Sequence, residues 1–148
     1  MTIAYPVLLR WNKEDRAYHV RSRDLPEVLT VGSTEAEALQ MAEDALDVAI
    51  AGRIEDEEDI PAPSKPSKSE YQIILSAQLA AKLAVYQAWR AAGISKVELA
   101  KRLGIAEGEA RRILSPRYGT KLDRLEAALA ILGRRLVIDT KPMKRDAA

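Results

Sequence analysis

Residues 55–69 constrain the fold of this chain more than any other segment. Five consecutive acidic residues, Glu55 to Asp59, are followed by three prolines at positions 61, 63 and 66. Neighbouring like charges repel one another, and proline can neither donate a backbone hydrogen bond nor fit a helix interior. We therefore expect a linker or a long extended loop here, with separate structure on each side of it.

The chain before this loop has the pattern of a small sheet. Apolar residues alternate with others over residues 5–11 and 18–21, with a polar turn between them, which predicts a β-hairpin. Pro26 breaks the second strand, because proline cannot donate to a strand ladder, and residues 28–31 form a short third strand. Residues 71–75 (YQIIL) predict a further strand, which should return to this sheet because an isolated strand leaves its backbone groups unpaired.

A helix is predicted between the third strand and the loop. Thr34 and Glu37 form a capping box, in which two backbone amides at the helix start find side-chain acceptors. Apolar residues then recur at helical spacing from Leu39 to Ile50. Gly52 is placed to end the helix in the left-handed conformation.

The chain after residue 76 has a helical pattern. Four helices are predicted, with boundaries at Ala77 to Gly93, Ser95 to Gly104, Ala106 to Leu114 and Thr120 to Gly133. Ser95 and Glu98 form a second capping box, and Thr120 is the expected N-cap of the last helix. Residues Leu136–Asp139 predict a terminal strand that pairs either within the chain or across a dimer. The sequence thus predicts an α+β fold with two domains, residues 1–75 and residues 76–148.

The two central helices of the second half have the spacing of a helix-turn-helix. Gly104 allows an abrupt change of direction, and Ala100 and Ala110 are small enough for the two helices to approach closely. Such a pair can present its second helix to the major groove of DNA. An ordinary helical hairpin is the alternative that the spacing leaves open.

On the DNA-binding hypothesis, the outward-facing residues of this pair contact nucleic acid. Arg112 is the candidate for a bidentate contact with guanine, and several other cations are candidates for phosphate contacts. Glu107 and Glu109 do not fit easily, because phosphate would repel them, although glutamate can accept from cytosine. The full set of candidates is Ser95, Lys96, Glu107, Gly108, Glu109, Arg111, Arg112, Arg117 and Lys121.

Charge divides the chain in the same place as the loop does. Residues 1–64 hold 6 Lys or Arg and 14 Asp or Glu, a net charge of −8; residues 65–148 hold 17 and 8, a net charge of +9. An acidic half suits a basic partner, and a basic half suits a polyanion such as nucleic acid. Two solvated surfaces that attract each other would give the same counts.

Composition excludes several classes of site. The chain has no cysteine and one histidine, which rules out disulfides and thiolate metal sites and disfavours a His-rich one. We expect neither a metal nor another cofactor. No apolar stretch approaches the roughly 18 residues of a membrane span, and the lack of cysteine fits a cytoplasmic protein.

Two groups of residues together resemble a known family, the HicB antitoxins of type II toxin–antitoxin systems, in their helix-turn-helix variant. The resemblance covers nearly the whole chain, and the order of the two groups carries it. The residues are Tyr5-Pro6-Val7, Asp24 to Glu27, Thr30, Gly32 and Thr34 to Ala38 in the first half, and Leu99 to Gly104 and Leu125 to Ala130 in the second.

The resemblance implies an N-terminal partial ribonuclease-H-like sheet that binds and neutralises a small HicA-type mRNA interferase. It also implies a homodimer, formed through the C-terminal domain, that binds operator DNA and represses its own operon. An RNA-cleaving toxin presents basic residues to its substrate, so an acidic domain could cover that surface. Trp11, Asp24 and Glu27 are the candidate toxin contacts.

Two other functions compete with this one. A ribonuclease-H-like fold invites the idea of metal-dependent hydrolysis, but that chemistry needs several converging carboxylates. Near strand ends the first 31 residues offer Asp24 and Glu27 alone, and His19 has no nucleophile to serve. We therefore expect no catalysis. A stand-alone repressor with a ligand-sensing N-terminal domain is the second alternative.

Overall fold

A computed structural model describes residues 3–143, and it has the α+β architecture that the sequence predicts. Four strands and one long helix form the first half, and four helices form the second. The elements are β1 (Ala4–Asn12), β2 (Ala17–Arg21), β3 (Leu29–Gly32), α1 (Glu35–Glu55), β4 (Glu70–Ile74), α2 (Ala77–Ala92), α3 (Lys96–Leu103), α4 (Glu107–Leu114) and α5 (Leu122–Ile131).

The four strands form one antiparallel sheet in the order β3-β2-β1-β4. The predicted hairpin is present, with Leu9 opposite Val20. The prediction that the strand after the loop returns to this sheet is confirmed, because β4 pairs with β1 and places Tyr71 opposite Val7. The third strand begins one residue later than expected, since Val28 is buried in the turn that precedes it.

Helix α1 covers one face of the sheet and begins as predicted. The Thr34 side chain accepts a hydrogen bond from the Glu37 backbone N–H, at 3.1 Å. The predicted end at Gly52 is wrong, because the helix continues to Glu55. The last turn is held by Ile54, which is buried, and by an ion pair between Arg53 and Glu27. These contacts outweigh the roughly 1 kcal/mol that a glycine costs inside a helix.

The loop after α1 lacks regular structure up to the turn before β4, as its acids and prolines predict, but it is attached to the protein body. The Tyr5 hydroxyl donates to the Pro61 carbonyl at 2.6 Å. The Ser64 backbone N–H donates to the Asp24 carboxylate at 2.8 Å. The Tyr86 hydroxyl donates to the Glu58 carbonyl at 2.5 Å, which ties the loop to α2 as well.

The buried side chains of both halves form one continuous hydrophobic cluster. Leu46 and Ile50 of α1 belong to it, and so do Leu83 and Tyr86 of α2. The contact between α1 and α2 therefore joins the sheet to the helices. The division into two domains at residue 75 stays a prediction. Residues 1–2 and 144–148 of these predicted domains lie outside the described range.

Two predictions at the C-terminal end are not met within this chain. Thr120 does not cap α5: the N-cap is Lys121, which makes no side-chain cap bond, and the Thr120 hydroxyl accepts from Lys82 instead. The predicted strand Leu136–Asp139 is absent, and residues 134–143 have no regular structure. Both edges of the sheet belong to other strands, β3 and β4, and neither pairs with this segment.

Candidate functional site

Helices α3 and α4 are the predicted pair, and local capping defines both ends of α3, while Ala106 at the start of α4 provides no side-chain cap. The Ser95 hydroxyl accepts from the Glu98 backbone N–H at 3.0 Å, which starts α3. Gly104 ends it in the left-handed conformation, with φ of 67°. Three residues, 104–106, connect the two helices. The pair of helices is thus confirmed, while its use as a DNA-binding helix-turn-helix stays a prediction.

Small and branched residues hold this pair together. Leu99 and Ala100 of α3 are buried, as are Ala110, Ile113 and Leu114 of α4. Two of them, Ala100 and Ala110, are the small residues that the sequence places at the helix contact, and α3 packs directly against α4. Their burial fixes which side of α4 faces solvent.

Four of the five candidate residues on α4, Glu107, Gly108, Arg111 and Arg112, are exposed, and Glu109 is half-buried. The two glutamates that seemed unsuited to DNA are each paired with an arginine. Arg111 Nη2 lies 2.6 Å from Glu107 Oε1, and Arg124 Nη1 lies 2.9 Å from Glu109 Oε2. Within residues 3–143, Arg112 pairs with no carboxylate. Arg112 is therefore the cation of α4 whose charge is not offset.

The predicted phosphate contacts fall into two groups. Arg117 and Lys121 are exposed, and Arg117 has only a long contact of 3.9 Å with Glu55. Lys96 is engaged: its Nζ lies 2.7 Å from Glu57 Oε1 and 5.7 Å from the centre of the Trp89 ring. The hydrogen bond from Lys96 lowers the pKa of Glu57. Part of the acidic segment thus lies against the N-terminal end of α3.

Lys82 is a functional candidate that the sequence reasoning missed. It lies on the buried face of α2 and is 1% exposed. Its Nζ donates to the carbonyls of Arg112 and Ile113, at 2.7 and 2.9 Å, and to the Thr120 hydroxyl at 2.5 Å. The two carbonyls belong to the last turn of α4, which has no partner for them within the helix. The signal was available, because Lys82 interrupts the apolar stripe of α2 at helical spacing.

The three predicted toxin contacts are not brought together. Trp11 is 47% exposed, packs edge-on against Tyr18 and shares its side of β1 with Leu9. It borders a pocket that is formed mainly by residues of the open face of the sheet. Asp24 is occupied by hydrogen bonds from the Ser64 backbone and hydroxyl. Glu27 pairs with Arg53, and the hydrogen bond from Arg53 lowers the pKa of Glu27. Glu27 lines a different groove, between β3 and α1.

Two other features are absent from residues 3–143. No cluster of three or more His, Cys, Asp or Glu side chains is arranged to hold a metal ion. None of the helices combines the length and the apolar character that crossing a bilayer requires.

A small antiparallel sheet followed by a basic group of short helices defines the chain as an α+β protein, and comparison with known proteins gives its class. Residues 4–84 match the family described as the HicB-like antitoxin of bacterial toxin–antitoxin systems. Antitoxin HicB 1 of Photorhabdus laumondii is 36% identical over 134 residues, which cover 90% of this chain and 84% of the relative. Antitoxin HicB of Escherichia coli K12 is 36% identical over 132 residues, which cover 89% and 95%.

A more distant relative, antitoxin HicB of Pseudomonas fluorescens, is 28% identical over 95% of this chain and 97% of its own length. The chain belongs to the HicB antitoxin family. Its family role is that of an antitoxin rather than an enzyme, and an antitoxin implies a toxin partner. The matches to relatives extend past the sheet into the helices of the second half.

Proposed function

We propose that this chain neutralises a HicA-type mRNA interferase through its acidic first half and represses its own operon by binding DNA through α3 and α4. The observation that carries the DNA-binding part is the closely packed pair of short helices with Arg112 exposed and unneutralised on its outer side. Operator DNA and a toxin that cleaves mRNA both occur in the bacterial cytoplasm, where the two activities would take place.

The pairing on α4 supports base reading by Arg112. Arg111 and Arg124 offset the charges of Glu107 and Glu109, so the acids need not repel the phosphate backbone. Arg112 keeps both its charge and its planar donor group, which matches the two acceptors of guanine in the major groove. Arg117 and Lys121 are exposed close along the chain and suit phosphate contacts.

Exposed apolar residues near the C-terminal end support a homodimer. Val137 is 78% exposed and Ile138 is 66% exposed, in a segment that pairs with neither edge of the sheet. Exposed large apolar side chains favour a partner segment, and two-fold dimers match palindromic operators. We propose that residues 136–139 pair with the same segment of a second chain.

The DNA-binding part is tested in the full chain, because its core is continuous across both halves. Arg112→Ala should reduce the preference for the operator over unrelated DNA by about tenfold or more, since a bidentate base contact contributes roughly 1–3 kcal/mol of discrimination. Lys121→Ala should weaken binding to both DNAs equally and lower the dependence on salt. Binding is measured by fluorescence anisotropy, and equal effects of the two changes would refute these roles.

The toxin-binding part is tested by co-expression with the small reading frame adjacent to the gene. A stable complex with a small basic protein is expected, and its isolation by affinity purification is the readout. If no such protein is retained while operator binding persists, the chain acts instead as a stand-alone repressor.

A further inference from the structure

A groove between the edge strand β3 and helix α1 has the properties of a protein-docking surface. Its volume is about 520 Å³, and it is open to solvent along its length. All of its lining residues fall between Glu27 and Glu58, so the groove belongs to the acidic half of the chain. No residue of the groove takes part in the candidate DNA contacts.

Large apolar side chains of the groove are unusually accessible. Val48 is 73% exposed and Met41 is 38% exposed. Leu29 also borders the groove, but its register with Arg21 places its side chain on the open face of the sheet. Met41 and Val48 belong to a second apolar stripe of α1, separate from the stripe that packs on the sheet. Scattered exposed apolar residues are common, but large ones that share one face of a helix along a concave surface mark an interaction site.

Acidic residues surround these apolar side chains. Asp44, Asp56, Glu58 and Glu27 all line the groove, and its one lining cation, Arg53, is already paired with Glu27. The lining is therefore strongly negative, and it attracts a positively charged surface and repels a negative one. An apolar centre with a charged rim is the usual composition of a specific protein interface.

The opposite, open face of the sheet differs from the groove in its charge. Arg10, His19 and Arg21 line its pocket, and within that pocket there is no acidic residue. His19 is paired with Asp15 at 2.6 Å, so the two arginines are the charges that disfavour a basic partner there. Ile74, which is 48% exposed, lies on this same face, because it is in register with Ala4 and alternate residues of β1 share a side.

We infer that the groove between β3 and α1 is the surface on which the basic toxin docks, with Val48 and Met41 at the apolar centre and Asp44 and Glu58 at the rim. This inference rests on the proposed antitoxin function and adds the location and chemistry of the contact. The edge of β3 lies beside the same groove, so a strand of the partner could extend the sheet there.

The test compares two matched substitutions in the full chain. Val48→Glu places a charge in the apolar centre and should weaken the complex with the toxin by about thirtyfold or more, as at an interface hot spot. Ile74→Glu makes the same kind of change on the open sheet face and should leave affinity within about twofold of wild type. Affinity is measured by isothermal titration calorimetry with purified toxin, and thermal unfolding and operator binding verify that both variants are folded.

Charge gives a second, independent readout. Asp44→Asn combined with Glu58→Gln should slow association and flatten its salt dependence without changing the fold, since both residues are exposed. The inference is overturned if Val48→Glu binds the toxin as tightly as wild type, or if Ile74→Glu is the variant that loses binding. If wild type itself does not bind the toxin, the proposed antitoxin function fails instead.

Discussion

Lys82 shows how a single buried charge can position the helix proposed to read DNA. Moving an ammonium group out of water is costly unless its donors are satisfied, and here all three N–H bonds have acceptors. Two acceptors are the terminal carbonyls of α4, and the third is Thr120 before α5. One side chain of α2 therefore fixes the end of α4 and the start of α5 together.

Replacing Lys82 by methionine should impair DNA binding more than it impairs folding. The variant removes a desolvated charge, and this change favours folding. It also leaves two buried carbonyls without donors, and each of them lowers the free energy of unfolding by about 1–3 kcal/mol. The two effects partly cancel in stability, but the end of α4 is released. We expect operator affinity to fall by at least about tenfold while toxin binding is retained. Loss of both activities in parallel would indicate general unfolding instead.

The same residue predicts a pH dependence of stability. Burial lowers the pKa of Lys82 from 10.5 to about 8, while Glu55 acts in the opposite direction. Between these two values the unfolded chain holds a proton that the folded chain has lost, so this group makes the free energy of unfolding rise with pH. The difference between wild type and Lys82→Met should therefore shift in favour of wild type from pH 8 to 10, in urea unfolding. A difference that is constant with pH would contradict this assignment.

At the scale of elements, capping patterns predicted most boundaries correctly, and tertiary contacts decided the rest. Ser95 and Thr34 cap their helices as expected, because the N-cap bond is a local arrangement that sequence alone defines. The second half of each predicted capping box is not formed, since Glu37 accepts from Ser33 and Glu98 pairs with Arg102. Gly52 and Thr120 were misassigned for the opposite reason. The helix continues past Gly52 because Ile54 is buried against other elements, and Thr120 does not cap α5 because its hydroxyl accepts from Lys82. The groove was not predicted, since its lining residues come from distant parts of the chain.

Two glycines, Gly32 packed against α1 and Gly52 within it, should respond in opposite ways to substitution by alanine. A Cβ on Gly32 would overlap the backbone N and Cα of Ala38, which cannot move without displacing the helix. Gly32→Ala should therefore destabilise the protein by about 3 kcal/mol. A Cβ on Gly52 meets nothing within 4 Å, and its backbone is already helical. Gly52→Ala should stabilise by about 0.5–1 kcal/mol. Urea unfolding of both variants is the measurement, and a similar effect of the two would refute the packing of β3 against α1.

At the scale of the whole molecule, the acidic segment connects the two proposed activities. Glu57 binds Lys96, Glu55 binds the Ser115 hydroxyl, and Asp59 binds Arg90 at 2.8 Å. The charge asymmetry of the sequence predicted separate partners for the two halves. In the folded chain, however, some acidic residues of the first half form ion pairs with basic residues of the second half. The contiguous sequence could not show this, because it depends on how α1 packs on α2.

This arrangement predicts that Glu57 limits DNA binding. Lys96 lies at the start of α3, where phosphate would also bind, and it cannot pair with both groups at once. An exposed ion pair contributes up to about 1 kcal/mol, and DNA binding must break the pair between Glu57 and Lys96. Glu57→Gln should therefore raise operator affinity by up to about fivefold. The plot of affinity against salt should steepen by about one unit per chain, as one further phosphate contact forms. Glu14→Gln removes an equal charge from the exposed hairpin turn and is the matched control. Equal gains in the two variants would show that overall charge, rather than the contact with Lys96, controls the affinity.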